Sequence, residues 1–140
     1  MSAFTIAVAS EDEVRANALG RRLRHFNFRV VGEYPEGQNV WLNASDDRGT
    51  LLGGFRGEIH FHWLFVNVLF VAESERRRGI GARLLAEGEA QARKLGARRA
   101  RLETFEWQAP AFYLKQGYRE IGRLANYYER YSLSLMTKDL

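Results

Sequence analysis

Residues 63–96 run WLFVNVLFVAESERRRGIGARLLAEGEAQARKLG. From Trp63 to Val71 the sequence is nearly all apolar, as in a strand covered on both faces and therefore central in its sheet. Ala72 to Arg78 is polar and ends in three consecutive arginines, Arg76, Arg77 and Arg78. Gly79, Ile80 and Gly81 follow. Leu84, Leu85, Gly88, Ala92 and Leu95 then recur at helical spacing, and Gly96 is placed to stop the helix. Beyond it Ala100, Leu102 and Thr104 alternate with Arg101, Glu103 and Phe105, so a second strand returns after the helix.

Upstream, Phe4 to Ala9 is expected as a short strand. Ser10, Glu11, Asp12 and Glu13 fit a capping box, and Val14, Ala18, Leu19, Leu23 and Phe26 carry a helix to about His25. Asn27 to Gly37, with Pro35, reads as a loop. Val40, Leu42 and Ala44 form a strand, Asp46 to Gly49 a turn, and Thr50 to Trp63 the returning strand, with Gly53, Gly54 and Gly57 as candidate bulges. Downstream, Pro110 suits the first turn of a short helix over 111–116, ended by Gly117. Tyr118 to Leu124 and Glu129 to Met136 read as two final strands. The expected class is α+β, with hairpins beside strand–helix–strand crossovers in one mixed sheet with helices packed on it.

The chain has 140 residues, which suits one domain over 1–140. It is 46% apolar and 27% charged, which excludes a disordered or collagen-like chain. No apolar run approaches the roughly 18 residues needed to cross a bilayer, and the first residues lack the pattern of a signal peptide, so a cytoplasmic protein without a membrane partner is expected. There is no cysteine, hence no disulfide, thiolate nucleophile or zinc–thiolate site. The net charge of +4 is concentrated at Arg76–Arg78 and at Arg93, Lys94, Arg98, Arg99 and Arg101. Such clusters indicate either an anionic partner, small molecule or nucleic acid, or a solvated basic face. Tyr127, Tyr128 and Tyr131 are candidates for a homodimer patch or for the end of the core.

A helix start leaves backbone N–H groups unpaired and carries roughly half a positive charge. Glycine lets a phosphate approach those donors, and arginine adds charge. The segment around Gly79 therefore suits a diphosphate. It is not a P-loop, because Ala82 and Arg83 follow Gly81 where Lys and Ser or Thr are required. Nor is it a dinucleotide fingerprint, because Leu84 stands where a third glycine belongs.

The run from Val71 through Arg76, Gly79 and Gly81 resembles the acyl-CoA-binding motif of the GNAT superfamily of N-acetyltransferases, Arg/Gln-x-x-Gly-x-Gly/Ala after a central strand. A second stretch from Ala109 through Phe112, Tyr113 and Gly117 to Tyr118 resembles that family's Ala-x-x-Phe-Tyr-x-x-x-Gly-Phe/Tyr helix, at the family's spacing. The resemblance is strong over residues 63–122 and extends to the order of elements elsewhere. It implies a mostly antiparallel sheet with a V-shaped splay between two parallel strands, helices on both faces, and acetyl-CoA as acyl donor without a metal.

The resemblance also implies roles. Leu69, Phe70 and Val71 would offer backbone groups to the pantetheine arm, with the Val71 amide as oxyanion donor. The amides from Arg77 through Arg78, Gly79, Ile80 and Gly81 to Ala82 would hold the pyrophosphate, with Arg76 beside them. Tyr113 would protonate the departing thiolate, although a core tyrosine is the alternative. Counting by two back from Val71 puts Leu69, Asn67, Phe65 and Trp63 on one face, where only Asn67 is polar and would hold a water or the acceptor. Glu103 is the nearest candidate base, with a salt-bridged carboxylate as the alternative; Glu58 and His62 are outside candidates, and His60 and His62 read first as strand-surface residues. Glu73, Arg77 and Glu106 depart from the family's usual residues, and Glu106 puts one pantetheine hydrogen bond in doubt. The expected activity is acetyl transfer to a primary amine, small-molecule or peptide, by direct attack. A non-catalytic CoA sensor is the alternative, and a nucleic-acid-binding module ranks last.

Overall fold

The computed structural model describes residues 2–140. These fold as two units, one up to Pro35 and the other Glu36–Leu140. In the larger unit six strands form one sheet: β1 Gln38–Ser45, β2 Leu51–His60, β3 Trp63–Val71, β4 Arg99–Phe105, β5 Arg119–Tyr128 and β6 Tyr131–Asp139. The order across the sheet is β1-β2-β3-β4-β6-β5. Only β3 and β4 are parallel; the other neighbours are antiparallel. The helix α3, Ile80–Lys94, makes the crossover between the two parallel strands, and α4, Pro110–Lys115, precedes β5.

The alternation in sequence becomes alternation in burial. Gly53, Phe55, Gly57 and Ile59 of β2 are buried, as are Ala100, Leu102 and Thr104 of β4. The stripe Leu84, Leu85, Gly88, Glu89 and Ala92 of α3 is buried as well, and α3 packs on β1, β2 and β3. Gly88 is required there, because a Cβ would stand 2.7 Å from the Phe55 ring. Phe55 is wholly enclosed beneath it, a burial that contributes about 2–3 kcal/mol.

Two irregularities position the site. The pairing of β3 with β4 runs only from Trp63–Arg99 to Val66–Leu102. Beyond that point β3 stays bonded to β2 as far as Val71, and β4 to β6 as far as Phe105. The two parallel strands therefore part, which is the expected splay. The second irregularity lies where they part. Arg56 of β2 faces Val68 while Gly57 faces Val66, leaving Asn67 as an extra residue in β3. Burial changes phase across this bulge: Leu64 and Val66 are buried before it, and Leu69 and Val71 are the more buried residues after it. Simple period-2 counting, which puts Trp63, Phe65, Asn67, Leu69 and Val71 on one face, is corrected by that single inserted residue.

In the smaller unit, α1 Glu11–Ala16 and α2 Ala18–Val31 replace the expected single helix. Ser10 caps α1 by accepting from the Glu13 N–H, as the capping box predicts. Asn17 adopts a left-handed conformation (φ 54°), and its N–H turns back to the Val14 carbonyl, which separates the helices. The second helix then runs past His25 into the expected loop, ending at Gly32, where φ is 85°. Phe28 stacks edge-on against Tyr34, and the Arg24 guanidinium lies 4.8 Å and 4.7 Å from the two ring centres, contacts that hold the added turn. Residues 4–9 are not a strand. Alternation alone does not make one without a ladder partner, and Phe4, Ile6 and Val8 are exposed. Among the described residues no helix is long and apolar enough to cross a membrane.

Candidate active site

The loop after β3 contains a 3₁₀ turn, Glu73–Glu75, and then reverses direction through two left-handed residues, Arg77 (φ 67°) and Gly79 (φ 81°). Gly79 is the N-cap of α3 and has no side chain with which to cap it. The first α3 amide with a backbone acceptor is that of Arg83, bonded to the Gly79 carbonyl at 3.0 Å. The N–H groups from Arg77 to Ala82 donate to no acceptor among the described residues. This is a concave set of donors at the positive end of a helix, and it suits a diphosphate. A Cβ on Gly79 would meet nothing within 4 Å, and one on Gly81 would reach Phe112 and Val71 only at 3.6 Å. The protein leaves that space open.

The three arginines do not act alike. Arg76 donates through Nε to the Val71 carbonyl at 2.9 Å, and its guanidinium lies 5.7 Å from the Phe70 ring centre. Arg78 pairs with Glu75. Arg77 has no side-chain partner among the described residues, and so its charge is the most available.

Backbone direction separates Leu69 and Val71 from Phe70. Val71 faces Gly53, and the Ala72 N–H donates to the Leu52 carbonyl at 2.8 Å. In that ladder phase Val71 and Leu69 turn their own N–H and carbonyl groups away from β2, toward the open side. Phe70 instead faces Gly54, and its groups serve the β2–β3 ladder. Two of the three expected backbone contributors therefore face the gap and Phe70 does not. Because Arg76 occupies the Val71 carbonyl, the Val71 N–H is the free group at the strand end.

Phe112 on α4 lies against the first turn of α3, which brings the second sequence motif to the glycine loop. Tyr113, the next residue, is 8% exposed and packs edge-on against Phe112 and Tyr118. Its hydroxyl bonds to no group among the described residues, and burial holds its phenol above the ordinary value of 10.0. Tyr118 differs. Its hydroxyl donates to Glu89 Oε2 at 2.8 Å, and Glu89 also accepts from Lys138 at 2.9 Å. Burial first, and then the Glu89 carboxylate, push the Tyr118 phenol far upward.

Asn67 is exposed on its bulge. Glu103 stands one residue beyond the last β4 residue paired to β3, exposed and without an ion-pair partner among the described residues. Both flank the opening. Glu58 and His60, 3.4 Å apart, lie on β2 opposite Phe65 and Trp63 at the closed end, and His62 is in the β2–β3 turn. Those three are not brought to the opening. Glu106 accepts the Ser132 N–H at 2.6 Å. The Ser132 hydroxyl and N–H, with Arg123 and Arg130 nearby, hold its carboxyl below the ordinary 4.5. This carboxylate ties β6 to the β4–α4 turn.

Two features escaped the sequence reading. Glu89 falls in the apolar stripe of α3, and a carboxylate there signals a buried partner. Phe105 and Trp107 stack nearly parallel, 4.4 Å apart at 7°, and Tyr127 and Tyr131 pack around them.

The sequence profile of the Acetyltransferase (GNAT) family matches residues 7–118. Blasticidin-S acetyltransferase of Streptomyces morookaense is 38% identical over 98 residues, 69% of this chain and 72% of that protein. The crystal structure of an acetyltransferase from Bacillus cereus superposes with a TM-score of 0.89 at 29% identity, covering 98% of each chain. At 19% identity, the PaiA N-acetyltransferase of Thermoplasma acidophilum, solved in complex with coenzyme A, shares the fold with a TM-score of 0.62, over 95% of this chain and 81% of that one. With the splayed parallel pair and the open amide loop in place, these similarities make the chain a member of the GNAT family of acetyltransferases.

Proposed function

We propose that this acetyltransferase moves an acetyl group from acetyl-CoA to a primary amine by direct attack of the amine. The observation that carries the reading is the unbroken run of unpaired N–H groups from Arg77 to Ala82 at the start of α3. Such donors suit the diphosphate of coenzyme A, with Arg77 adding charge. Leu69 lines the open half with its N–H and carbonyl, and Val71 with its N–H, as backbone groups for the pantetheine arm. Acetyl-CoA, when bound, supplies an acyl group activated as a thioester.

The remaining roles belong to the protein. The Val71 N–H donates to the carbonyl oxygen as it gains charge. Tyr113, kept protonated by burial and with no competing acceptor among the described residues, gives a proton to the departing thiolate. Glu103 takes the proton of the attacking amine, directly or through a water held by Asn67. The similarity to blasticidin-S acetyltransferase supports a small-molecule amine as acceptor.

Calorimetry with acetyl-CoA tests the first half of this reading, and a panel of amines scored for release of free CoA tests the second. Saturable binding with amine-dependent release is expected. Binding with no release from any amine would favour the non-catalytic CoA sensor. Absence of binding would remove the glycine loop from the site.

A further inference from the structure

We infer that the aromatic cluster beyond β4 selects the acceptor, and that the preferred acceptor is a primary amine carried a short distance from a planar ring. This rests on the acetyl-transfer reading above and names the substrate class of the same site.

Phe105 ends β4 on the same strand face as Glu103, two residues earlier, so the two side chains stand about 7 Å apart. The Phe105 ring is continued by Trp107, stacked 4.4 Å away and nearly parallel. Tyr127 packs against Phe105 at 5.5 Å and Tyr131 against Trp107 at 5.1 Å. Trp107 and Tyr127 nevertheless keep 52% and 55% of their surfaces exposed.

The cluster is held in place by its backbone. The Phe105 N–H donates to Gln108 Oε1 and the Gln108 N–H returns to the Phe105 carbonyl, both at 2.9 Å. The Ala109 N–H reaches Thr104 Oγ1 at 3.3 Å. On the facing hairpin the β5–β6 register breaks between Leu124 and Tyr128, and Asn126 is left-handed at φ 51°, one residue before Tyr127. A bulge that re-aims a side chain is common beside binding sites.

A fixed aromatic shelf with half its leading ring in water offers stacking to a planar group. The unpaired Glu103 carboxylate, two strand positions away, is complementary to an ammonium group. Their spacing corresponds to an arylalkylamine.

Phenethylamine and its saturated analogue cyclohexylethylamine share an amine and a linker and differ in planarity. Equilibrium binding of each, without acetyl-CoA, should favour phenethylamine by about five-fold or more, and its KM should be lower by a similar factor. Trp107→Ala should erase the preference, and Trp107→Phe should retain most of it. A circular dichroism spectrum unchanged in Trp107→Ala checks that the variant is folded. Turnover of both amines with equal affinity in the wild type would overturn the inference while leaving acetyl transfer intact. Ring-selective binding lost in Trp107→Ala, but with no CoA release, would uphold the shelf and sink the proposed activity. Binding of neither amine, or conversion of a dimer to a monomer by Trp107→Ala in sedimentation, would assign the patch elsewhere and overturn the inference.

Discussion

The two halves of the β3–β4 pair are built from similar strand sequence and end in opposite states. In the closed half, Trp63–Val66 pair with Arg99–Leu102, and the neighbouring polar groups satisfy one another: Glu89 accepts from both Tyr118 and Lys138. In the open half, Leu69 and Val71 face a gap, and among the described residues the amides from Arg77 to Ala82 lack acceptors and the Tyr113 hydroxyl has no partner. Tyr113 and Tyr118 are five residues apart, and both are buried. One hydroxyl is committed to a carboxylate and the other is not. Buried polar groups are normally paired, and an unpaired one costs about 1–3 kcal/mol. At the open end the unpaired N–H groups lie on exposed and half-buried residues, where a ligand can accept from them.

The largest break in this contrast should come from filling the open half. Gly81→Asp has helical backbone space for its side chain, so the fold should survive, and the carboxylate should weaken acetyl-CoA binding by about a hundred-fold or more through repulsion of phosphate. Calorimetry reads this directly. Gly79→Asp should do the same, with an added backbone cost of about 1–2 kcal/mol because φ is 81°.

Next in size is the proton donor. Tyr113→Phe should lower kcat by about 10²- to 10⁴-fold and leave acetyl-CoA affinity near the wild type. The pH profile sharpens the test. With the phenol raised above 10.0, an alkaline fall in rate caused by its ionisation belongs above pH 10 and should vanish in Tyr113→Phe. An unchanged kcat would assign the acid elsewhere.

Tyr118→Phe probes the closed half and should do the reverse: a loss of about 1–3 kcal/mol in urea denaturation with acetyl-CoA binding intact. The sign with pH is definite. The Tyr118 phenol is raised in the folded state, so its contribution is complete below pH 10 and declines above it, as the unfolded chain ionises first. The gap between variant and wild type should therefore narrow at alkaline pH.

The smallest effect concerns Glu106 and Glu120, which anchor the strands around the aromatic shelf. Both carboxyls lie below their ordinary 4.5, through Ser132 for Glu106 and through Arg123 and Ser134 for Glu120. Their contribution is present above pH 4.5 and lost as the pH falls through their lowered values. Melting temperatures between pH 6 and pH 3 should fall less steeply in Glu106→Gln than in the wild type.

Much of this contrast was legible before the fold was known. Apolar Trp63–Val71, the arginine-rich glycine loop and the α3 stripe are local patterns, and each became the expected element, except that β3 is not covered on both faces: Asn67, Val68 and Phe70 are exposed beyond the bulge. The bulge at Asn67 was not legible, because an inserted residue shows only against the register of β2. The fate of Phe70 was hidden for the same reason: its side chain is read from sequence, whereas the direction of its amide depends on which partner β3 bonds. Asn17 looked like an ordinary helix residue, and the strand expected at Phe4–Ala9 had the right alternation but no ladder.

The sequence by itself determined the class of fold and the loop that suits a diphosphate, since composition, periodicity and short-range caps act within a few residues; Tyr113 was singled out only by the resemblance of its motif to the GNAT family. Only the tertiary structure decided where β3 and β4 part, which backbone groups face the opening, and which of two neighbouring tyrosines keeps a free hydroxyl. Those outcomes depend on hydrogen-bond partners far apart along the chain, and a polar group's chemistry is set by whether such a partner reaches it.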